Sequence, residues 1–330
     1  MTTLLVLTAC KFAQGVIEPL VFGLFVIIIS WPTQQALQGR IGKGPALAVT
    51  ALVVLTAGLV LLSVIIWGGR QIAEWVVDNL DRIQDRLVAS TRWLEAHDIF
   101  VFALLAEHFD AAAIMRLVSR VAARANTIVA FAAIVVIYVV LGLGEAEAIT
   151  RRVAALENRE ASQRLLAAGR RIGAKFRTYM LVRTVASVAT GLAVWAFVRF
   201  MGMEMAGACG VLAFALNYLP YIGSFIVTAL LPAFAFVQTG AVQTTAFVLL
   251  GVSVIQIVTG SYLEPLFSGS ALSISPPLIL FAITLWTYLW GALGAFLGVP
   301  LVIAALTLFD EFPATHWLAD LLSGGRTARR

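Results

Sequence analysis

Residues 206–309 are apolar almost without interruption, and Glu264 is the only acid between Glu204 and Asp310. A run of this length reads as successive bilayer spans rather than as one soluble core. The same texture recurs earlier, at residues 4–31, 45–67, 126–143 and 181–201. Of the 330 residues, 61% are hydrophobic and 12% charged. A soluble domain is about half apolar and about a quarter charged, so much of this surface must face something other than water. The sequence therefore predicts an all-α, polytopic membrane protein with about seven or eight apolar segments, some of them broken.

Several function classes drop out on residue chemistry. Two cysteines, Cys10 and Cys209, make no disulfide framework. The formal net charge of +5 comes from arginines near span ends, which suits an anionic leaflet better than nucleic acid. Leu7-Thr8-Ala9-Cys10 has the form of a lipoprotein cleavage box, but no Lys or Arg precedes it, and it reads as the first turns of a membrane helix. His97 and His108 lie near Glu95, Asp98, Glu107 and Asp110, yet they are too far apart in sequence to form a close pair, so a solvated helix face is expected there and no metal. No phosphate loop, zinc-binding helix or nucleophile elbow occurs, so no enzyme activity and no cofactor is expected.

The chain divides into four parts. Residues 1–67 carry N-terminal spans. Residues 68–125 form an amphipathic extramembrane subdomain. There Ile72, Trp75, Val76, Leu80, Ile83 and Leu87 recur at helical spacing among Glu74, Asp78, Asp81, Arg82 and Asp85. Residues 126–309 form the transmembrane core, with an arginine-rich loop at 144–177, and residues 310–330 form a tail. Residues 4–31 would be roughly 40 Å long as one helix, so Glu18-Pro19 is expected to break them, either as a kink in one span or, the favoured reading, as the turn of a short hairpin. Residues 32–44 read as a turn-rich loop.

Orientation follows from charge. Residues 151–183 hold Arg151, Arg152, Arg159, Arg164, Arg170, Arg171, Lys175, Arg177 and Arg183 against only Glu157 and Glu160, which places that side in the cytoplasm. One span earlier, the balanced 68–125 segment falls outside. One further back, Arg40 and Lys43 fall inside again. Arg326, Arg329 and Arg330 favour a cytoplasmic tail.

Candidate chemistry lies where helices break inside membrane-length segments. The first break is Asn217-Tyr218-Leu219-Pro220-Tyr221-Ile222-Gly223. Pro220 lacks a backbone donor, and Gly223 lets the chain leave helical geometry. Backbone groups freed in hydrocarbon need protein partners or a wet cavity, and transporters build solute sites from such discontinuities. A structural kink or tight turn is the plainer alternative. The second break is Leu263-Glu264-Pro265, followed by Gly269 and Pro276-Pro277. An ionisable residue among spans suggests a proton-coupling or cation-binding carboxylate, against the alternative of a helix cap in the headgroups. The third runs from Trp290-Gly291 through Gly294 to Pro300, as a kink or hairpin with small residues for close packing.

Taken in this order, the three blocks resemble the autoinducer-2 exporter family of membrane transporters. The likeness is carried by Asn217-Tyr218-Leu219-Pro220-Tyr221-Ile222-Gly223, Leu263-Glu264-Pro265, Ser275-Pro276, and the run from Trp290-Gly291 through Gly294-Ala295 to Val299-Pro300-Leu301. It is strong over residues 175–306; elsewhere only the plan matches, and the sequence departs in a short N-terminus and the extra Pro277. The resemblance implies a secondary transporter in the cytoplasmic membrane, homo-oligomeric, moving a small polar solute or a cation. Sodium or lithium/proton antiport is a second possibility within the family. A membrane scaffold acting through residues 68–125 is the reading from outside it. Asn217, Tyr218, Pro220, Tyr221, Gly223, Glu264 and Pro265 are the expected pathway residues. Gly269, Pro276, Gly291, Gly294 and Pro300 are the expected hinge or packing positions.

Overall fold

The computed structural model describes residues 11–95, 111–263 and 274–322. Among them the structure is α-helical, with no strand. The helices are α1 (Gln14–Ile41), α2 (Lys43–Asp78), α3 (Leu80–Glu95), α4 (Ala111–Ala154), α5 (Arg159–Phe200), α6 (Ala206–Asn217), α7 (Ile222–Thr239), α8 (Val242–Val258), α9 (Pro276–Glu311) and α10 (His316–Leu322). A π-helical turn, Thr259–Leu263, continues α8. Seven of the described helices are long and apolar enough to cross a membrane, and α6 is a shorter apolar helix. Leu52, Val53, Leu181, Leu192, Phe247 and Leu250 stand on the outside of the bundle. This apolar exterior is what a lipid-facing protein needs.

Two expectations about the N-terminal region are corrected. Glu18-Pro19 makes no hairpin: α1 runs unbroken for 28 residues through both Pro19 and Pro32. Pro19 sits early in the helix, where few intrahelical hydrogen bonds precede it, and is buried against neighbouring helices. Residues 32–41 are helical rather than loop, and the turn is narrowed to Gly42, at φ 84°. The arginine-rich segment is also mostly helix. It holds the end of α4, a turn at residues 155–158, and the start of α5, whose N-cap Asn158 accepts a 2.9 Å hydrogen bond from the Ala161 amide.

Helix α5 organises the bundle. At 42 residues it is roughly 63 Å long, about twice the hydrocarbon thickness. Near its C-terminus, Val194 and Val198 pack with Trp75, Cys209, Ala213, Leu231 and Val252. Nearer its N-terminus, Ile172, Phe176 and Tyr179 pack with Phe25, Ile283, Trp290 and Leu297. A third cluster of Val135, Val139 and Leu143 ties α4 to α1 and α2. Helices α5 and α6 meet backbone to backbone. A Cβ at Gly191 would stand 2.9 Å from the Gly210 carbonyl oxygen, and one at Gly210 2.8 Å from the Gly191 oxygen. Only paired glycines let two backbones come this near.

The short pair α6–α7 is a helical hairpin. Its base is fixed where the Gln238 Oε1 accepts a 3.0 Å hydrogen bond from the Glu204 amide, and the Glu204 carboxylate accepts one of 2.6 Å from the Trp75 indole. The Arg86 guanidinium of α3 lies over Gly240, just beyond α7. Helix α9 is a second hairpin, folded at Gly291, whose φ of 63° and ψ of −139° no other residue adopts without strain. Gly298 lies against Ala282 and Ile283 of the first arm. In a straight helix those positions would be roughly 24 Å apart. Cysteines at Ala282 and Gly298, in protein lacking Cys10 and Cys209, are therefore expected to be bridged by a short bifunctional thiol reagent. Failure to crosslink while each single cysteine still reacts would mean a straight α9.

Candidate solute site where two hairpin tips meet

The two hairpins enter from opposite ends of the bundle. The base of α6–α7 lies beside α2 and α3, at Trp75 and Arg86. The end of α9 lies beside the arginine-rich end of α5, where Arg171 pairs with Glu311 at 2.8 Å and Asp310 at 3.6 Å, and Arg164 donates to the Glu311 carbonyl. Helix α6 has 12 residues, roughly 18 Å, so with its base at the edge of a hydrocarbon layer ~30 Å thick its tip would reach past the middle. There the tips touch. The Tyr218 and Phe296 rings are 6.2 Å apart, and Leu219 and Ile222 pack into the cluster holding Leu289 and Trp290.

The first tip is built from its sequence in short steps. Helix α6 ends at Asn217. Leu219 N donates to Leu216 O at 2.8 Å, and Ile222 N reaches back to Pro220 O at 2.7 Å. This two-residue closure centres on Tyr221, at φ 61° and ψ −52°. It is a γ-turn of positive φ, a conformation that costs a non-glycine residue about 1–3 kcal/mol. The Tyr221 side chain itself is exposed. Gly223 then restarts the helix so close to the first arm that a Cβ would fall 1.7 Å from Leu216 O. The break therefore combines strain at Tyr221 with a backbone contact that tolerates no side chain.

Asn217 and Tyr218 turn toward α5. Asn217 is buried, and its Nδ2 donates to Ser187 Oγ at 3.1 Å. The Tyr218 hydroxyl donates to Thr184 Oγ1 at 3.0 Å, and the Arg183 guanidinium lies within electrostatic reach of it. At the second tip, Trp290 is buried and packs against Trp286, with ring centroids 4.6 Å apart and planes tilted at 46°. Gly294 stands so near the first arm that a Cβ would meet Trp286 O at 1.9 Å. Pro276 opens α9, and Pro300 is buried inside its second arm. Glu264, Pro265 and Gly269 lie outside the described residues, as do His97 and His108.

The structure adds two cations of the arginine-rich segment, Lys175 and Arg183, and two residues that carry no charge, Tyr179 and Ser187. Lys175, Tyr179, Arg183 and Ser187 are four apart in sequence and share one face of α5. Tyr179, Arg183 and Ser187 are buried. Lys175 Nζ donates to Thr307 Oγ1 of α9 at 2.9 Å. This polar stripe runs beneath both hairpin tips. Its fourfold spacing was a legible signal.

The family model described as AI-2E family transporter matches residues 1–314. Over 321 residues the chain is 26% identical to the AI-2 transport protein TqsA of Escherichia coli (strain K12), covering 97% of this chain and 92% of that protein. A putative transport protein of Haemophilus influenzae is 26% identical over 334 residues, with 97% and 93% covered. The putative transport protein YhhT of Escherichia coli (strain K12) is 32% identical over 152 residues, 46% of this chain and 43% of that one.

Proposed function

Since the chain belongs to the AI-2E family of transporters, we propose that it is a secondary transporter whose solute binds where the α6–α7 and α9 tips face the polar stripe of α5. The observation that carries this reading is the meeting of two helical hairpins from opposite ends of the bundle at buried polar groups on a third helix. Freed backbone at membrane depth is tolerated where it is buried in protein or lines a cavity, and here it sits at the junction of both tips. Asn217, Tyr218, Pro220, Tyr221 and Gly223 form one wall, and Gly291 and Gly294 shape the other. Glu264 and Pro265 join the reading from sequence, directly after the π-turn at Thr259–Leu263. Pro276 and Pro300 bracket α9, and Gly269 belongs to the segment that precedes it. No nucleotide-binding motif occurs in the sequence, so the driving force in this reading is a solute or ion gradient.

Purified protein in proteoliposomes tests it, with a panel of small polar metabolites and alkali cations as tracers. Protein-dependent flux of at least one solute is the expected result. Membrane-inserted protein that moves none would favour a scaffold.

The reading also fixes sides in the cytoplasmic membrane. The arginine-rich junction of α4 and α5 faces the cytoplasm, and α3 faces the opposite compartment. In protein lacking Cys10 and Cys209, an impermeant thiol reagent applied to intact cells is expected to label Asp85→Cys and to spare Arg159→Cys. Both positions are exposed. The reverse pattern would invert the topology.

A further inference from the structure

We infer that Gln256 of α8 is a further solute-binding residue, and that its side-chain amide takes an uncharged group which both donates and accepts a hydrogen bond, a hydroxyl or a carboxamide. This inference rests on the transport reading above and adds a third wall to its site.

The Oε1 and Nε2 atoms of Gln256 are both buried, and among the described residues neither has a hydrogen-bond partner. Two other glutamines with buried amide atoms each use one end. Gln34 Nε2 donates to Leu143 O at 3.2 Å, and Gln238 Oε1 accepts from the Glu204 amide at 3.0 Å. Gln256 uses neither end. A buried amide with both ends unpaired lowers stability, and an apolar side chain of similar size would avoid that cost. A group held at such a cost inside a span is expected to have a task.

Position supplies the task. Val248, Val252 and Thr259 are the buried residues of α8 and its π-helical turn, and Gln256 continues their stripe one turn beyond Val252. Val248 and Val252 pack with Val194 and Val198 of α5 and with Val227 and Leu231 of α7. The amide therefore enters between α5 and α7, directly past the end of that dry cluster. Along α8, Gln256 lies 14 residues, roughly 21 Å, from Val242, and the same length back along α7 from Thr239 ends at Phe225, beside the Gly223 tip. On α5, Gly251 lies against the Phe197 ring. Five residues on along α8, and five back along the antiparallel α5, bring Gln256 to within about one turn of Thr190. One turn farther is Ser187, which accepts from Asn217 of the first tip. The π-helical turn at Thr259–Leu263 begins three residues after Gln256. Such single π turns interrupt the backbone ladder and recur at functional sites.

The amide also selects its ligand. It offers two donors and one acceptor, and no net charge. An alkali cation would engage Oε1 and leave Nε2 unpaired; an oxyanion would engage Nε2 and leave Oε1 unpaired. Val252 and Ile255 beside it bring no countercharge, so an ion would lose its hydration without replacement. A hydroxyl or a carboxamide satisfies both ends at once.

The test uses the full chain in proteoliposomes, with glycerol, ribose and acetamide as probes and acetate and sodium as controls. The native protein is expected to move at least one of the three probes. Gln256→Met keeps the length of the side chain and removes both hydrogen-bonding ends, so it should raise the KM for that probe by roughly tenfold or more. Its Tm in detergent without solute should equal or exceed that of native protein, because the unpaired amide is gone. The transported probe should raise the native Tm and leave that of Gln256→Met unmoved. Gln256→Asn, with the amide withdrawn by one methylene, should also raise the KM, and it decides if the methionine variant fails to insert. An unchanged KM would mean that the amide binds only water and would overturn the inference. A Tm that falls in Gln256→Met would assign the amide to the fold and overturn it as well. Native protein that moves acetate or sodium but none of the three probes would overturn it and leave the transport reading standing. Native protein that moves nothing would count against both.

Discussion

Replacing Gly223 by alanine is expected to abolish transport while the protein still inserts in the membrane. The added Cβ would lie 1.7 Å from the Leu216 carbonyl oxygen and 2.4 Å from its carbon. Neither is the end of a flexible side chain; both are backbone of the opposing arm, already fixed by α6. The tip must open by more than an ångström to admit the methyl group. That takes the Leu219 and Ile222 packing and the Tyr218–Phe296 contact with it. Overpacking of an ordinary core costs about 1–3 kcal/mol because side chains move aside. Here nothing in the contact can rotate away. Initial flux is expected to drop below roughly a tenth of the native rate, each decade being about 1.4 kcal/mol. Gly58→Ala is the matched control, because its Cβ meets nothing within 4 Å. Native flux in Gly223→Ala would show that the break is a kink outside the solute path.

Gly294→Ala should have an effect of similar size on the other tip. Its Cβ would fall 1.9 Å from Trp286 O and 3.1 Å from the Trp290 side chain. The Trp286 and Trp290 rings, 4.6 Å apart and tilted at 46°, pack beside this contact. One turn along the same arm, Gly298 offers a graded comparison: its Cβ would sit 3.3 Å from Ala282 O, a distance met by a shift of a few tenths of an ångström. Gly298→Ala is expected to keep at least about half of the native flux, and Gly294→Ala to lose most of it. Flux normalised to inserted protein decides the order. Equal behaviour of the two variants would mean that the α9 arms are farther apart than described.

Much of this architecture was legible because membrane helices obey few rules. Apolar length gave the spans, and proline with glycine marked the interruptions at Pro220 and Gly223 and at Gly291. What an interruption does was less legible. Glu18-Pro19 suggested a reversal, yet α1 runs straight through, because a proline early in a helix removes little hydrogen bonding and neighbouring helices can hold it. Trp290-Gly291 left kink and hairpin equally open. The reversal there turns on one dihedral pair at Gly291 and on the arms fitting at Gly294 and Gly298, neither of which local propensity records.

The polar stripe shows a different limit. Counting charge places Lys175 and Arg183 with the arginine-rich segment, and uses them only as a cue to orientation. It ignores where on the helix each cation falls. The fourfold spacing through Tyr179 and Ser187 was present in the sequence, but its meaning needed Asn217, thirty residues away, to be seen donating to Ser187. Glu264 stays a sequence-based candidate, because it lies outside the described residues.

The bare contact between Gly191 and Gly210 decides which ligands can tell one state of the protein from another. Two backbones meeting at 2.8–2.9 Å of a notional Cβ have no rotamers through which to slide. If the protein transports as proposed, helices α5 and α6 are expected to travel as one piece, with Arg183, Ser187 and Asn217 keeping their mutual geometry whichever compartment the proposed site faces. A compound gripping only those residues has equal affinity for all states, so it occupies the site without shifting the population. A compound that also wedges against Phe296 or Trp290 touches the α9 tip, which meets α5 through side chains rather than through paired glycines. Such a compound would lock one state, and an antagonist programme or a search for a state-specific antibody fragment has its epitope there.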